Sequence, residues 1–226
     1  MSEYAIRPIA HIRCDLKEKF GVPRQAGIVE ALEGRIVFEP EFRDPEALRG
    51  MEGFSHLWLI WQFSEAVREG DWSPTVRPPR LGGNTRLGVF ATRSPFRPNA
   101  LGLSCVRLLG LERDGELGTV LRVGGADLVD GTPIYDIKPY VPYADSHPEA
   151  LSGFAPDAGK SLAVDFPRPL LERVPPEKRE GLLGVLARDP RPRYQNDPER
   201  LYGLRFGEQN VKFTVDGDRL TVREVE

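Results

Sequence analysis

Cysteine and histidine are scarce in this chain: Cys14, Cys105, His11, His56 and His147 are all that its 226 residues contain. So few cysteines exclude the disulfide framework of a small secreted domain and a multi-cysteine zinc site, leaving two free thiols. The histidines stand far apart, without the spacing that brings two ligands to one ion, so no metal is expected. Long apolar runs are missing as well. No segment approaches the roughly 18 uncharged apolar residues of a membrane span, and the first residues lack the apolar core of a signal peptide. A cytoplasmic protein without a membrane partner is therefore expected. Also absent is the strand, glycine-rich turn and helix of a dinucleotide-binding unit, because Gly82-Gly83 and Gly124-Gly125 read as turns. Acidic residues are missing over one telling stretch: from Arg77 to Arg107 there are six arginines and no Asp or Glu, in a chain of net charge −3. That balance argues against indiscriminate coating of nucleic acid and for one local basic face.

What the chain does have is 40% apolar and 29% charged residues, the mix of an ordinary soluble protein, together with 21 prolines that imply many turns and short elements. Alternating or compact apolar runs predict strands at residues 4–12, 34–38, 56–63, 87–92, 101–112, 117–123 and 128–138. Asp44 before Pro45 caps a short helix, and residues 74–84 are too rich in proline and glycine to be regular. Many short strands with such turns predict a mainly β protein, a barrel or closed sheet. The pattern breaks near residues 152–160. Beyond it, a strand at 162–166, a helix at 175–186 and a hairpin at 210–215 and 219–225, turning at Asp216-Gly217, predict a small α+β domain that docks on the larger one. The expected domains are residues 1–153 and 158–226.

Three groups of residues can carry chemistry. The loop Phe90 to Asn99, FATRSPFRPN, sets Arg93 and Arg97 about an aromatic ring, where a rigid guanidinium fork suits phosphate or carboxylate. A solvent-facing loop with surface ion pairs is the competing account. The second group is Asp127, Asp130, Asp136 and Lys138, of which Asp136 and Lys138 lie two apart in an apolar strand and face one side. Charges placed there need pairing or function, while Asp130 can equally be a turn cap. The third group is the segment 188–206, whose five arginines alternate with Tyr194, Tyr202 and Phe206, a pattern suited to phosphates and unstacked bases as well as to an ordinary core.

The segments FGVPRQAG, ALRGMEGFSHLWLIWQF, VRPPRLGG, GVFATRSPFRPNALGLS, DLVDGTPIYDIKPYVPYADS and DPRPRY, in that order, resemble the TrmO family, also called YaeB or TsaA-like. The resemblance implies N6-methylation of the tRNA adenosine just 3′ of the anticodon after it has received a threonylcarbamoyl group. It also implies S-adenosylmethionine as cofactor, a β-barrel-like domain outside the Rossmann type, and a homodimer with the cofactor near the subunit interface. On that basis Arg93, Ser94, Phe96, Arg97, Asn99, Leu128, Asp130 and Thr132 are expected at the cofactor. Asp136, Lys138, Asp130 and Tyr135 are expected at the chemistry, with Asp136 as base or orienting carboxylate or else merely paired with Lys138. Arg77, Arg80, Arg188, Arg191, Arg193 and Tyr194 are expected on RNA. The opposing reading is a non-catalytic RNA- or nucleoside-binding module using the same basic surface.

Overall fold

The computed structural model describes residues 4–66, 72–157, 159–191, 195 and 197–226. In chain order the strands are β1 (Ala10–Cys14), β2 (Glu33–Phe38), β3 (His56–Gln62), β4 (Thr75–Val76), β5 (Leu87–Gly88), β6 (Leu101–Asp114), β7 (Gly118–Gly124), β8 (Pro133–Pro139), β9 (Ala163–Asp165), β10 (Tyr202–Phe206), β11 (Gln209–Asp216) and β12 (Arg219–Val225). Three short helices accompany them: α1 (Pro142–Asp145), α2 (Arg168–Leu171) and α3 (Arg179–Ala187).

Six strands in the order β1-β2-β7-β6-β3-β8 form one strongly curled sheet. Its two ends meet only at Ala10↔Ile134 and His11↔Pro133, so the mainly β, barrel-like domain that the sequence predicted is a curled sheet with a narrow seam and not a fully closed barrel. Period-2 alternation drives the curl. In β3, Leu57, Leu59 and Trp61 are buried while the residues between them are half exposed, so one face packs with Ile12, Ile36, Val106, Leu121 and Ile134 into a core. Fully burying side chains of this size contributes about 1.5–3 kcal/mol each.

Three strands expected in this part of the chain are shorter than predicted. The first, expected at residues 4–12, pairs only as β1, Ala10–Cys14. Residues 87–92 pair only at β5, after which Val89–Ala91 coil into a 3-10 turn closed by Thr92 N donating to Val89 O at 3.1 Å. Residues 128–132 form a turn ahead of β8, because Asp130 is tied to another part of the chain, as described below. The capped helix after Asp44 is a single 3-10 turn, Pro45–Leu48, and the Asp44 carboxylate accepts from Glu46 N at 2.9 Å.

Beside the two-stranded pair β4-β5, a second large sheet in the order β10-β11-β12-β9 is antiparallel except where β9 runs parallel to β12. Its core joins Leu204, Phe206, Phe213 and Leu220 with Leu182 and Leu186 of α3, and it also includes Leu16, Val29 and Leu32 from the connection between β1 and β2. That connection therefore lies between the two sheets. Leu16 makes an isolated β-bridge with Phe206, Gly207 N donates to Asp15 O at 2.8 Å, and Lys178 Nζ pairs with Asp15 at 2.7 Å.

Candidate functional site

The loop 92–97 is held by its own side chains. Thr92 Oγ1 donates to Val89 O at 2.8 Å and accepts from Ser94 N at 3.2 Å, Ser94 Oγ accepts from Phe96 N at 3.2 Å, and Arg97 donates to Thr92 O at 3.2 Å. Hydroxyls that bond to nearby backbone in this way fix a turn that lacks a ladder. Arg97 thus donates one guanidinium N–H within the loop, whereas Arg93 is exposed and its guanidinium donates to Gln25 Oε1. Lys19 Nζ stands 5.9 Å from the centre of the Phe96 ring. The connection 15–32 and the loop 92–97 consequently face one another.

Behind Arg93 runs a buried polar chain. Trp61 Nε1 donates to Ser104 Oγ at 2.9 Å, and the Ser104 hydroxyl donates to Asp127 Oδ1 at 2.5 Å. Gly102 makes this possible: a Cβ there would lie 2.3 Å from Trp61 Cε2, so only glycine lets the indole lie flat on β6. Burial raises the Asp127 carboxyl above its ordinary range, opposed by the Ser104 hydroxyl, by the backbone N–H of Asp127 itself, by the Arg93 charge and by the N–H of Ala26. A desolvated carboxylate and an exposed guanidinium thus lie close enough to influence each other.

Several expected residues lie elsewhere. Leu128 is fully buried in the core and Thr132 nearly so, hence neither offers surface to a ligand. Asp130 is a clamp: Oδ1 accepts from Cys14 N at 2.8 Å and Oδ2 from Lys17 Nζ at 2.9 Å. Asn99 is exposed, and its carbonyl accepts from Leu101 N at 2.7 Å. Asp136 and Lys138 do share a face and pair at 3.1 Å. That face is the outer one, however, since Asp136 is the cross-strand partner of Ile60 and Lys138 of Trp58, while Trp61 and Ser104 point inward. Tyr135 donates to Gln62 on the same strand pair. A single chain thus sets Asp136 and Asp127 on opposite sides of the sheet.

The basic residues also divide. Arg77 is exposed. Arg80 is taken by Asp157, donating to its carbonyl and carboxylate at 2.6 Å each. Arg191 is 8% exposed and grips Asp189 through two bonds of 2.8 and 3.1 Å, a structural fork unavailable to phosphate. Arg188 is half-buried at the end of α3. Arg193 and Tyr194 lie outside the described residues.

Among the described residues no group of three or more His, Cys, Asp and Glu can hold a metal, and no helix is long and apolar enough to cross a membrane. A cavity of about 300 Å³ lined by Ile9, Phe38, Phe42, Leu48, Met51 and Ile137 contains none of the Arg93 cluster.

Family models decide the relationship. Residues 11–146 match the tRNA-methyltransferase O N-terminal domain and residues 159–226 match the TrmO C-terminal domain. The chain belongs to the tRNA-methyltransferase O family. It is 43% identical over 224 residues to the tRNA (adenine(37)-N6)-methyltransferase of Escherichia coli strain K12, covering 95% of this chain and 94% of that one. A Pseudomonas aeruginosa protein with the provisional name S-adenosylmethionine-dependent methyltransferase RcsF is 42% identical, over 92% of this chain and 91% of its own. The crystal structure of TrmO from Pseudomonas aeruginosa superposes with a TM-score of 0.82 at 35% identity, covering 100% of this chain and 99% of that one. TrmO membership adds weight to the motif segment FGVPRQAG, within which the sequence alone did not single out Gln25. Asp127 was visible only as one of several aspartates. Its partner Ser104 is 23 residues away, and only the curl of the sheet makes them neighbours.

Proposed function

We propose that this chain transfers a methyl group from S-adenosylmethionine to N6 of adenosine 37 in tRNA, with the threonylcarbamoyl-modified adenosine as its substrate. The observation that carries the reading is the Arg93, Gln25 and Asp127 cluster, found in a chain that resembles tRNA (adenine(37)-N6)-methyltransferases along nearly its whole length. The cluster fits the cofactor chemically. Arg93 suits the carboxylate of its amino acid end and Asp127 the ammonium, while Phe96 offers an aromatic face to a cation. Ser94 and Asn99 border the same loop. When bound, S-adenosylmethionine supplies the methyl group as an electrophilic carbon on sulfonium.

The work of the protein is to align and to accept a proton. The nitrogen to be methylated is bonded to a purine and a carbonyl, so its lone pair is delocalised and its proton must leave. Asp136, paired with Lys138 at 3.1 Å, is the acceptor in this reading. Because Asp136 lies on the outer face, this reading takes the enzyme as a homodimer, in which the outer face of β3, β6 and β8 in one copy meets the site of the other. Leu103, 54% exposed and paired across from Ile60, which itself pairs with Asp136 on its other side, supports that face as the contact. Arg77 and Arg188 contact phosphate, and the cytoplasm is the compartment where this substrate is found.

The test is methyl transfer from labelled S-adenosylmethionine to bulk tRNA taken from cells that lack the enzyme. One methyl at adenosine 37 is expected, and a poor reaction with the same RNA made in vitro without the threonylcarbamoyl group. Binding with the RNA mass unchanged would establish the non-catalytic module instead, and equal methylation of modified and unmodified RNA would remove the threonylcarbamoyl requirement.

A further inference from the structure

The two-stranded stem β4-β5 does something that the core does not need. Its ladder, Thr75↔Gly88 and Val76↔Leu87, continues through Val89 N donating to Pro74 O at 2.9 Å, and it sets the residue before β4 opposite the residue after β5. As a result the rings of Trp72 and Phe90 meet with centroids 5.8 Å apart and planes inclined by 35°. Both remain open to solvent, Trp72 at 49% and Phe90 at 69% exposure. Neither belongs to either hydrophobic core. Exposed aromatic pairs of this kind mark contact sites, because leaving such area in water gives up the burial that a core position would gain.

The charge around the pair says what the contact is. No acidic residue occurs from Trp72 to Arg107. Within that stretch Arg77 and Arg86 are exposed and make no ion pair among the described residues, and the ladder places them at its far end from the ring pair. An aromatic pair at one end of a short ladder and unneutralised arginines at the other fit unpaired bases joined by phosphates: a base stacks on the rings and the guanidinium groups meet the backbone further along. An acidic or apolar protein partner would need only one of the two features. The platform also lies near the proposed site. Phe90 is three residues before Arg93, so their Cα atoms are at most about 11 Å apart, a span of roughly three base steps.

We propose that Trp72 and Phe90 form a stacking platform for an unpaired base next to the adenosine that is methylated. The inference rests on the tRNA reading above and deepens it by naming residues that position the substrate.

Steady-state methylation of tRNA by the full chain tests it, with Trp72→Leu, Trp72→Phe and Phe90→Ala compared with wild type. Stacking of one base predicts a KM for tRNA raised about tenfold or more in Trp72→Leu and Phe90→Ala, with kcat within about twofold. Trp72→Phe should restore most of the loss. Calorimetric affinity for S-adenosylhomocysteine should match wild type in all three, since the platform touches RNA only. A Trp72→Leu enzyme with the KM of wild type would show that apolar bulk suffices and would overturn the stacking role, as would a loss that Trp72→Phe fails to restore. If wild type methylates no tRNA, the functional reading falls and this inference with it. If wild type methylates normally and the variants match it, the platform alone falls.

Discussion

Asp127 is a carboxylate kept from water, and its protonation is linked to stability with a definite sign. Its folded-state pKa is raised by burial, so its contribution is fully present below the ordinary carboxylate value and is lost as pH rises through the raised one. Asp127→Asn should therefore gain stability relative to wild type as pH climbs through the carboxylate range, measured as the difference in denaturation midpoint. The same variant should bind S-adenosylhomocysteine about tenfold more weakly or worse, because a charged partner for the ammonium is gone. Unchanged affinity would remove Asp127 from the cofactor site. Asp136→Asn makes a different demand: a fall in turnover of about 10²-fold, the scale of a general base, with cofactor affinity and melting temperature unchanged. Near-normal turnover would leave Asp136 and Lys138 as a surface pair and alignment as the source of the rate. Cys14 illustrates burial acting on another group. Its thiol, which donates to Leu128 O at 3.4 Å, is pushed up to about 12, chiefly by desolvation. Both thiols are part-buried, and burial raises Cys105 as well, though less strongly. At about pH 8 both should react slowly with a thiol reagent, Cys14 the more slowly. Equal rates would contradict the stronger desolvation of Cys14.

The elements differ in how openly the sequence declares them. Strands β3, β6, β7 and β12 were legible because apolar alternation and bounding glycines act locally, and the register then follows from which face is buried. Residues 128–132 were misread because Leu128 and Val129 look like strand residues, while the group that stops the strand is Asp130, held by Cys14 N and Lys17 on a distant segment. Arg93 was legible as a candidate from the acid-free loop around it. The Trp61, Ser104 and Asp127 chain was not, since it depends on β3 and β6 pairing Trp61 with Gly102 across the sheet. Gly102 carries the sharpest prediction at this scale. In Gly102→Ala the new methyl cannot occupy the indole plane, so Trp61 must shift and its bond to Ser104 Oγ must break. Overpacking of this kind costs about 1–3 kcal/mol, and the displaced indole N–H adds a comparable penalty if it stays buried. A lower melting temperature together with weaker binding of S-adenosylhomocysteine is expected. A variant that loses stability alone would separate the polar chain from the site.

At the scale of the whole molecule, the family boundary near residue 158 and the physical boundary do not coincide. The core of the second sheet takes Leu16, Val29 and Leu32 from the connection between β1 and β2, and the Phe20 ring stacks on Phe213 with centroids 6.5 Å apart. Each of these side chains contributes about 1.5–3 kcal/mol when fully buried, a large share of the 5–15 kcal/mol that a whole domain retains. A module of some 70 residues has little core to spare. The fragment 158–226 should therefore be largely unfolded when expressed alone, by near-ultraviolet circular dichroism and by dispersion of its amide resonances. The full chain should unfold in one transition that is the same whether followed by near- or far-ultraviolet signals. The same connection carries Gln25 to Arg93 and Lys19 to Phe96, so the second sheet supports the proposed cofactor loop through the segment it packs. A chain ending at residue 153 leaves that segment without its apolar partners. It should bind S-adenosylhomocysteine at least about tenfold more weakly than the full chain, even though Arg93 and Asp127 are both present, because the loop must be ordered at the expense of binding. A fragment 158–226 that folds cooperatively by itself, or a truncated chain with full cofactor affinity, would show that the two sheets are independent and that the connection is only a tether.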